Sequence, residues 1–271
     1  MGITISVQNS EYQILLALRD NRKSRRKYGE VFVEGIESIK QVLTCGLPVT
    51  RFIFSKGKQL SDWAKEQLSA NRDAVQIEMA PGLYTELSTK DSPSELLVTV
   101  QLPKHTLASL PNHENPFFLV LDRPSDKGNL GSMIRSANAF GVQGIILSGH
   151  GVDPYDGKVI RSSLGSVFHT PVVTDISFNE IKTWLLAMKR ERKALVIGTD
   201  SDGSYNLSET TTSLPAVIIM GNEAKGISRS FKEICDQIVS IPMTGNVNSL
   251  NLACAGTIFL WEFAKSQIKK E

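Results

Sequence analysis

Apolar and polar residues alternate along the first hundred residues in two patterns, one typical of strands and the other of helices. Short apolar runs predict four strands, at 30–35, 49–55, 74–80 and 95–103. Apolar residues at helical spacing predict four helices, two with Ser10 and Ser61 as N-caps and two covering 36–46 and 81–88. The alternation of the two element types indicates a small α/β domain.

The second half of the chain repeats this alternation with more strongly apolar strands. Continuous apolar runs, which are typical of buried parallel strands, occupy 116–122 and 144–149. Three more strands are predicted at 194–200, 216–223 and 237–243, each ending in a glycine-rich or polar turn. Helices are predicted over 130–141, over 178–192 with Ser177 as N-cap, and at the end of the chain. The first of these helices has one apolar face, made of Leu130, Met133, Ile134 and Ala137. The last helix is apolar on nearly every side.

A stretch of different composition separates the two halves. Residues 103–116 contain three prolines and two histidines and show no periodicity. We therefore predict a first domain at 1–105, a linker at 106–115 and a second domain at 116–271.

The composition is that of an ordinary globular protein, with 41% hydrophobic and 21% charged residues. No charge-free apolar run reaches about 18 residues, and the N-terminus lacks the features of a secretory signal, so we expect neither a membrane span nor export. The three cysteines are scattered without metal-ligand spacing. They predict reduced thiols, no metal site and a cytoplasmic protein.

The net charge of +2 says little about partners, but the local charge says more. In the segment 19–27, RDNRKSRRK, six of the nine residues are basic. Such a segment is either a solvated charged loop or a surface that contacts phosphates.

Glycine and small polar residues follow four of the predicted parallel strands, in the segments DRPSDKGNLGSMIR, TDSDG, GNEAKGIS and TGNVNSLN. Ligands bind beyond the carboxyl ends of parallel strands, where such residues let the backbone approach them closely. None of these segments matches a P-loop or a G-x-G-x-x-G dinucleotide site. The pattern alone therefore predicts an α/β protein with a small-molecule site in its C-terminal half.

Three of these segments resemble the sequence motifs of a known family. NLGSMIR (129–135), IIMGNEAKGIS (218–228) and IPMTGNVNSLNLACAG (241–256) are similar, in order and spacing, to the motifs of the SpoU or TrmH-like RNA 2′-O-ribose methyltransferases, a branch of the SPOUT superfamily. KVIRSSLGSVFHTPV fits the segment between the first two motifs. YGEVFVEGIESIKQVL resembles the start of a ribosomal-protein-like substrate-binding domain found in many members.

The resemblance implies a fold, a cofactor and an assembly. The second domain would be a SPOUT domain, in which a parallel sheet and a deep trefoil knot hold S-adenosylmethionine. The general prior is strongly against a knot, and only the resemblance predicts one. The last helix would be apolar on all sides because it packs on the knot and on a second subunit, which predicts a homodimer.

The cofactor contacts implied by the resemblance come from the ends of three strands: Thr199, Met220, Gly221, Asn222, Gly226, Ile241, Met243, Ser249 and Leu250. Glycine at 221 and 226 would leave room for the adenine and ribose. The backbone at 241 and 250 would bind the edges of the adenine.

Arg135 is the residue that family members use at the target ribose. An arginine normally keeps its proton, so Arg135 would either clamp the adjacent phosphate or act as an unusual general base. A surface ion pair with Asp122 or Glu223 is the structural alternative.

Four further residues would support this chemistry. Asn129 would position Arg135 or the ribose, or simply cap its helix. Glu223 and Asn251 would orient the arginine and the target nucleotide. Ser249 would contact the cofactor or the substrate, or lie at the start of the last helix as its cap.

RNA contacts are predicted from the basic segment and from one arginine between the motifs: Arg22, Lys23, Arg25, Arg26 and Arg161. A solvated arginine is the alternative for Arg161. The front domain favours large-subunit ribosomal RNA over transfer RNA as substrate. A catalytically silent RNA-binding or ribosome-assembly protein and a base-modifying enzyme of the same superfamily are the competing hypotheses.

Overall fold

A computed structural model describes residues 2–267, so residues 1 and 268–271, the outer ends of the two predicted domains, lie outside the described residues. The chain forms two compact units. One comprises the chain up to Pro103 together with Tyr155–Phe168, and the other comprises Lys104–Pro154 and the chain from His169 onward. Among residues 2–267, no helix is long and apolar enough to cross a bilayer.

The secondary structure alternates throughout, as the sequence pattern predicts. The strands are β1 (Gly2–Ile5), β2 (Glu30–Glu34), β3 (Val49–Ser55), β4 (Val75–Met79), β5 (Leu97–Gln101), β6 (Phe117–Asp122), β7 (Gly144–Ser148), β8 (Val172–Ile176), β9 (Leu195–Thr199), β10 (Tyr205–Asn206), β11 (Ala216–Met220) and β12 (Gln237–Ser240). The helices are α1 (Ser10–Asp20), α2 (Arg22–Tyr28), α3 (Ile36–Thr44), α4 (Asp62–Ala70), α5 (Pro81–Leu87), α6 (Lys127–Ala139), α7 (Gly157–Ser162), α8 (Phe178–Arg192), α9 (Arg229–Lys232) and α10 (Leu252–Ala264).

The first unit contains a mixed five-stranded sheet in the order β1-β4-β3-β5-β2. Strand β1 was not predicted: Ile3 and Ile5 alternate with Thr4, but the strand has only 4 residues, of which Ile5 alone is buried. The N-cap of α1 is Asn9 and not Ser10, since the Asn9 side chain accepts a hydrogen bond from the backbone of Tyr12. Ser61 caps α4, as predicted.

The basic segment of the first unit is helical and not a loop. Arg19 and Asp20 end α1, Asn21 caps the next helix, and the rest of the segment lies in α2, which is followed by Gly29 in the left-handed conformation. One side of α2 faces the core, and this places Arg25 inside with 3% of its surface exposed. Its guanidinium donates to the carbonyls of Leu18 and Arg19. The prediction that Arg25 contacts RNA is therefore wrong, because its side chain is committed to the core.

The second unit contains a seven-stranded sheet in the order β10-β12-β9-β11-β6-β7-β8, and every paired strand in it is parallel. Strands β6, β7 and β11 are buried along their full length, as their continuous apolar sequences predict. Strand β8 was missed because it lies at the sheet edge and is partly exposed. The parallel α/β prediction is confirmed. The trefoil knot stays a prediction, because strand order alone does not trace the path of the chain.

Helix α10 packs on α6 at a close crossing. A Cβ atom at Gly256 would lie 2.0 Å from the Met133 side chain and 2.8 Å from the sulfur of Met220. The hydroxyls of Ser136 and Thr257 are 2.7 Å apart across the same contact. This packing holds the start of α10 at the edge of the sheet where β6 and β11 end.

Candidate active site at the carboxyl edge of the second sheet

A cavity of about 460 Å³ opens beside the carboxyl ends of β9 and β11. Its lining residues come from the ends of these strands and the segments after them, from the turn that precedes α10, from α10 itself and, with Asn129, from the start of α6. Every cofactor contact implied by the resemblance lies in this lining: Thr199, Met220, Gly221, Asn222, Gly226, Ile241, Met243, Ser249 and Leu250. The cavity thus brings together residues up to 130 positions apart, between Asn129 and Phe259.

The two glycines after β11 allow a close contact between two backbone segments, a role that the sequence analysis did not predict for them. A Cβ atom at Gly221 would lie 2.0 Å from the backbone carbon of Gly226, so only glycine lets the two segments meet. Two backbone hydrogen bonds between Asn222 and Gly226, of 3.0 and 2.8 Å, close the turn. Gly226 has a φ of 62°, which a glycine adopts without strain. These glycines therefore shape the cavity wall through the turn.

Glu223 lies on this turn and binds the loop that follows β6. One carboxylate oxygen accepts hydrogen bonds from the backbone and the hydroxyl of Ser125, at 3.1 and 2.6 Å. The other oxygen accepts from the Asp126 backbone at 3.1 Å and from the Asn129 amide at 3.3 Å. Burial would raise the pKa of Glu223, but these hydrogen bonds outweigh it and the pKa lies below its usual value.

Asn129 is the meeting point of three loops. Its side-chain oxygen accepts a hydrogen bond of 2.9 Å from the amide of Asn251, while its own amide donates to Glu223. It does not cap α6, since that position belongs to Asp126. Asn251, and not Ser249, caps α10, because its oxygen accepts from the backbone of Ala253 and Cys254.

Arg135 stands apart from this network. Its side chain is on the exposed side of α6, off the apolar face as predicted, and it does not line the cavity. Asp122 and Glu223, its two suggested ion-pair partners, bind other groups. Within residues 2–267 no hydrogen bond or ion pair engages its guanidinium. Helical side chains lean toward the helix N-terminus, so Arg135 leans toward the end of α6 that carries Asn129.

Asp122 is a buried carboxylate at the end of β6, with 2% of its surface exposed. It accepts two hydrogen bonds from Arg123, at 2.9 and 3.0 Å, one from the Ser148 hydroxyl at 2.8 Å and one from the Ser228 backbone at 2.9 Å. Burial opposes its ionisation, but these bonds outweigh burial and keep the pKa of Asp122 below its usual value. Asp122 thereby ties together the segments that follow β6, β7 and β11.

Sequence reasoning missed several residues of the cavity. Asp200 lines it and forms an ion pair of 2.5 Å with Lys232, and its position directly after Thr199 was the available signal. Ala255 and Phe259 reach the cavity from α10. The sequence showed that this helix is apolar, but it did not show which side faces the cavity.

All the predicted RNA contacts lie in the first unit, and those other than Arg25 have side chains at least partly exposed. Lys23 and Arg26 are exposed on α2, and Arg22 is partly exposed. Arg161, in α7, donates a hydrogen bond of 2.7 Å to the Thr89 hydroxyl. Among the residues that the structure describes, no group of three or more histidine, cysteine or acidic side chains is arranged to hold a metal ion.

The cavity suits a nucleoside-containing cofactor. Its volume is within the range of small-molecule sites, and Ile241, Leu250 and Phe259 offer apolar surface for a flat ring. The backbone of the adjoining turns supplies hydrogen-bonding groups that need no side chain. A parallel sheet with such a cavity at its carboxyl edge defines an α/β protein that binds its ligand beyond the strand ends. S-adenosylmethionine fits this site.

Comparisons with known proteins give the family. Residues 116–261 match the model of the SpoU rRNA Methylase family, and residues 9–98 match the SpoU L30e-like domain. A 23S rRNA (uridine(2479)-2′-O)-methyltransferase from Streptomyces viridochromogenes is 38% identical over 266 residues, which are 97% of this chain and 92% of that protein. The chain belongs to the SpoU rRNA Methylase family.

Solved structures agree with this assignment. The SpoU methyltransferase AviRb from Streptomyces viridochromogenes, in complex with AdoMet, is 36% identical with a TM-score of 0.86, covering 96% of this chain and 99% of AviRb. An AdoMet-bound rRNA methyltransferase from Sinorhizobium meliloti is 26% identical with a TM-score of 0.87, covering 99% of both chains. The protein is an S-adenosylmethionine-dependent RNA methyltransferase that acts on a ribose 2′-hydroxyl.

The close backbone approach at Gly221 generates a first prediction. Gly221→Ala should weaken S-adenosylmethionine binding at least tenfold, because the added Cβ forces the 222–226 turn away from β11. Isothermal titration calorimetry measures the change. Gly82→Ala in α5 is the matched control, since its Cβ also meets nothing within 4 Å and the residue does not line the cavity, so the affinity should stay unchanged. Equal affinities in the two variants would show that the turn does not shape the cofactor site.

The hydrogen bonds of Asp122 generate a prediction on pH. Its folded-state pKa is lowered, so its stabilising effect is present above the unfolded pKa and is lost as the pH falls through the folded value. Asp122→Asn should lower the free energy of unfolding at pH 7 by about 1–3 kcal/mol, and the difference should shrink in acid. Urea unfolding at pH 7 and pH 3 tests this, and a difference that grows in acid would contradict it.

Proposed function

We propose that the substrate is the ribose 2′-hydroxyl of one nucleotide in large-subunit ribosomal RNA. The observation that carries this proposal is the similarity to the 23S rRNA methyltransferase of Streptomyces viridochromogenes, which extends over 97% of this chain and 92% of that one. The similarity therefore includes the first domain, which the resemblance to the family identifies as the substrate-binding domain. The same relative favours ribosomal RNA over transfer RNA as the substrate. An enzyme with a ribosomal substrate would act in the cytoplasm.

The reaction requires an electrophilic methyl group, which the sulfonium of S-adenosylmethionine supplies. The chain must bind that cofactor, align the ribose and accommodate the proton that leaves the 2′-hydroxyl. The nine lining residues predicted from the motifs bind the cofactor. Asn129 and Asn251 present a hydrogen-bonded edge at one end of the cavity, where they orient the target nucleotide.

Glu223 is unsuited to accept the proton. Its two oxygens already accept hydrogen bonds from Ser125, Asp126 and Asn129, which favour the ionised, fully bonded state. Its role is to hold the loop after β6 in place. Ser249 lines the cavity and contacts the cofactor or the ribose next to it.

Arg135 then acts on the substrate side. Because an arginine keeps its proton in proteins, we assign it to the phosphate beside the target ribose, whose oxygen takes up the hydroxyl proton. Its exposed position and its lack of a partner among residues 2–267 leave its donors available for that phosphate.

The first unit supplies electrostatic affinity. Arg22, Lys23 and Arg26 on α2 contact the RNA backbone, and Arg161 binds a further phosphate. Such contacts increase affinity without reading sequence. The catalytically silent alternative is disfavoured because Arg135, Asn129 and Glu223 are all retained.

A homodimer completes the proposal. Three residues on one side of α10, Cys254, Ile258 and Trp261, are exposed, and Ile258 and Trp261 are large and apolar. Trp261 packs edge-to-face against Phe140, 5.8 Å away, which extends the apolar surface to the end of α6. A second copy of this chain would cover such a surface, as the apolar character of the last helix predicts.

Transfer of labelled methyl groups tests the substrate. The wild-type protein should label 2′-O-methyl nucleosides in a 23S rRNA transcript, with no label in a 16S transcript or in transfer RNA. Arg135→Gln should lower the rate at least about 100-fold while the cofactor Kd changes less than twofold. Arg190→Gln, at an exposed arginine in the last turn of α8, is the matched control.

Each alternative predicts a different result in this assay. Label confined to transfer RNA would overturn the ribosomal substrate, and label in a base would move the protein to the base-modifying branch. Loss of cofactor binding in Arg135→Gln would show that the arginine belongs to the cofactor site.

The dimer is tested by changing its apolar surface. Ile258→Glu with Trp261→Glu should convert a dimer into a monomer, because two carboxylates would be buried without partners. Light scattering after gel filtration gives the mass. Lys265→Glu, an exposed change at the C-cap of the same helix, should leave the dimer intact. A wild-type monomer at micromolar concentration would refute the homodimer.

A further inference from the structure

Arg123, directly after β6, has a backbone conformation that residues with a side chain rarely adopt. Its φ is 55°, in the left-handed region. Such conformations persist only where the surroundings enforce them, and they concentrate at functional sites. The segment around Arg123 carries no sequence feature of the methyl-transfer motifs, which begin at Asn129, and its side chain has no role in the mechanism described above.

The guanidinium of Arg123 is fixed from several directions. Its Nε and one terminal nitrogen donate to the two oxygens of Asp122, at 2.9 and 3.0 Å. The Ser148 hydroxyl and the Ser228 backbone hold Asp122 from the other side. Gly149 leaves space for the stem of the arginine, since a Cβ there would lie 2.8 Å from its Cγ. The side chain is thus held in one position before any ligand arrives.

This fixed cation remains open to solvent. The Arg123 side chain is 40% exposed, whereas that of Asp122 is 3% exposed. A guanidinium carries five N–H donors, and two of them bind Asp122. Among residues 2–267, only Asp122 accepts hydrogen bonds from this side chain. The outer edge of the guanidinium therefore presents the remaining donors.

Arg123 is also connected to the active site through its backbone. Its carbonyl accepts a hydrogen bond of 2.9 Å from the side chain of Asn222, which lines the cofactor cavity. Ser125, two residues further along, donates to Glu223. Arg123 therefore lies on the same loop as the hydrogen-bond network, at the edge of the sheet where the substrate must approach the cofactor.

We propose that Arg123 is a substrate-binding residue, whose outer N–H edge binds a phosphate of the RNA close to the target ribose, and that Asp122 is its positioning residue. An oriented guanidinium matches the oxygens of a phosphate, and RNA presents one at every nucleotide. The buried carboxylate lies behind the guanidinium and is held there by Ser148 and Ser228, so the N–H donors that Asp122 does not bind face outward. The inference rests on the RNA methyl transfer proposed above.

Kinetics with the RNA fraction that the wild-type protein methylates test this role. Arg123→Gln should raise the KM for RNA about tenfold, with kcat changed less than threefold and the cofactor Kd unchanged. In filter binding between 50 and 200 mM KCl, the slope of log K against log salt should fall by about one. Arg123→Lys should recover part of the affinity, because it keeps the charge but not the planar fork. Arg190→Gln controls for the loss of one exposed charge.

A double variant separates substrate binding from stability. Arg123→Gly with Asp122→Asn relieves the left-handed backbone and removes the buried charge, so its melting temperature should stay within a few degrees of wild type. The KM for RNA should remain raised. If that variant has the wild-type KM and salt slope, or if Arg123→Gln leaves both unchanged, Arg123 is purely structural. Methylation of transfer RNA by the wild-type protein would instead refute the ribosomal substrate. The KM and salt slope of the Arg123 variants could then still be compared with those of the wild type on transfer RNA.

Discussion

The side chain of Asn129 joins three segments that are far apart in the chain. It donates to Glu223 after β11 and accepts from Asn251 at the start of α10, while its backbone is held by Asp126. Each partner is itself held by further hydrogen bonds, so the three segments have one mutual arrangement. The position of α10, the shape of the cavity and the loop after β6 all depend on this arrangement.

Two carboxylates, the buried Asp122 and the exposed Glu223, have the same physical character at this edge of the sheet. Asp122 and Glu223 each accept several hydrogen bonds, which lower both pKa values although desolvation alone would raise them. A carboxylate in that state organises its neighbours and is a poor acceptor for the proton of a hydroxyl group. In the mechanism proposed above, the proton of the 2′-hydroxyl therefore goes to a phosphate of the substrate, with Arg135 and Arg123 as the groups that would bind phosphate.

Stability and function share residues here. Gly221 permits a backbone contact that no other residue allows, and the same contact forms the wall of the cofactor cavity. Gly256 lets α10 approach Met133 and Met220, and this approach places Ala255 and Phe259 in the cavity. Binding surfaces built from such close contacts are already shaped before the ligand arrives, so less conformational entropy is lost on binding.

Sequence alone determined the alternation of strands and helices, the caps at Ser61 and Ser177, the buried face of α6 and nine of the residues that line the cavity. These follow from local periodicity or from motifs whose residues stay together in the chain. Tertiary structure alone decided that Asn9 and Asn251 are caps, that Arg25 points inward and that Arg123 is held in a left-handed conformation. The two caps depend on which of several neighbouring polar residues the folded chain leaves at the start of the helix. The other two outcomes depend on how a side chain is packed against the rest of the fold, and a sequence pattern carries no record of that packing.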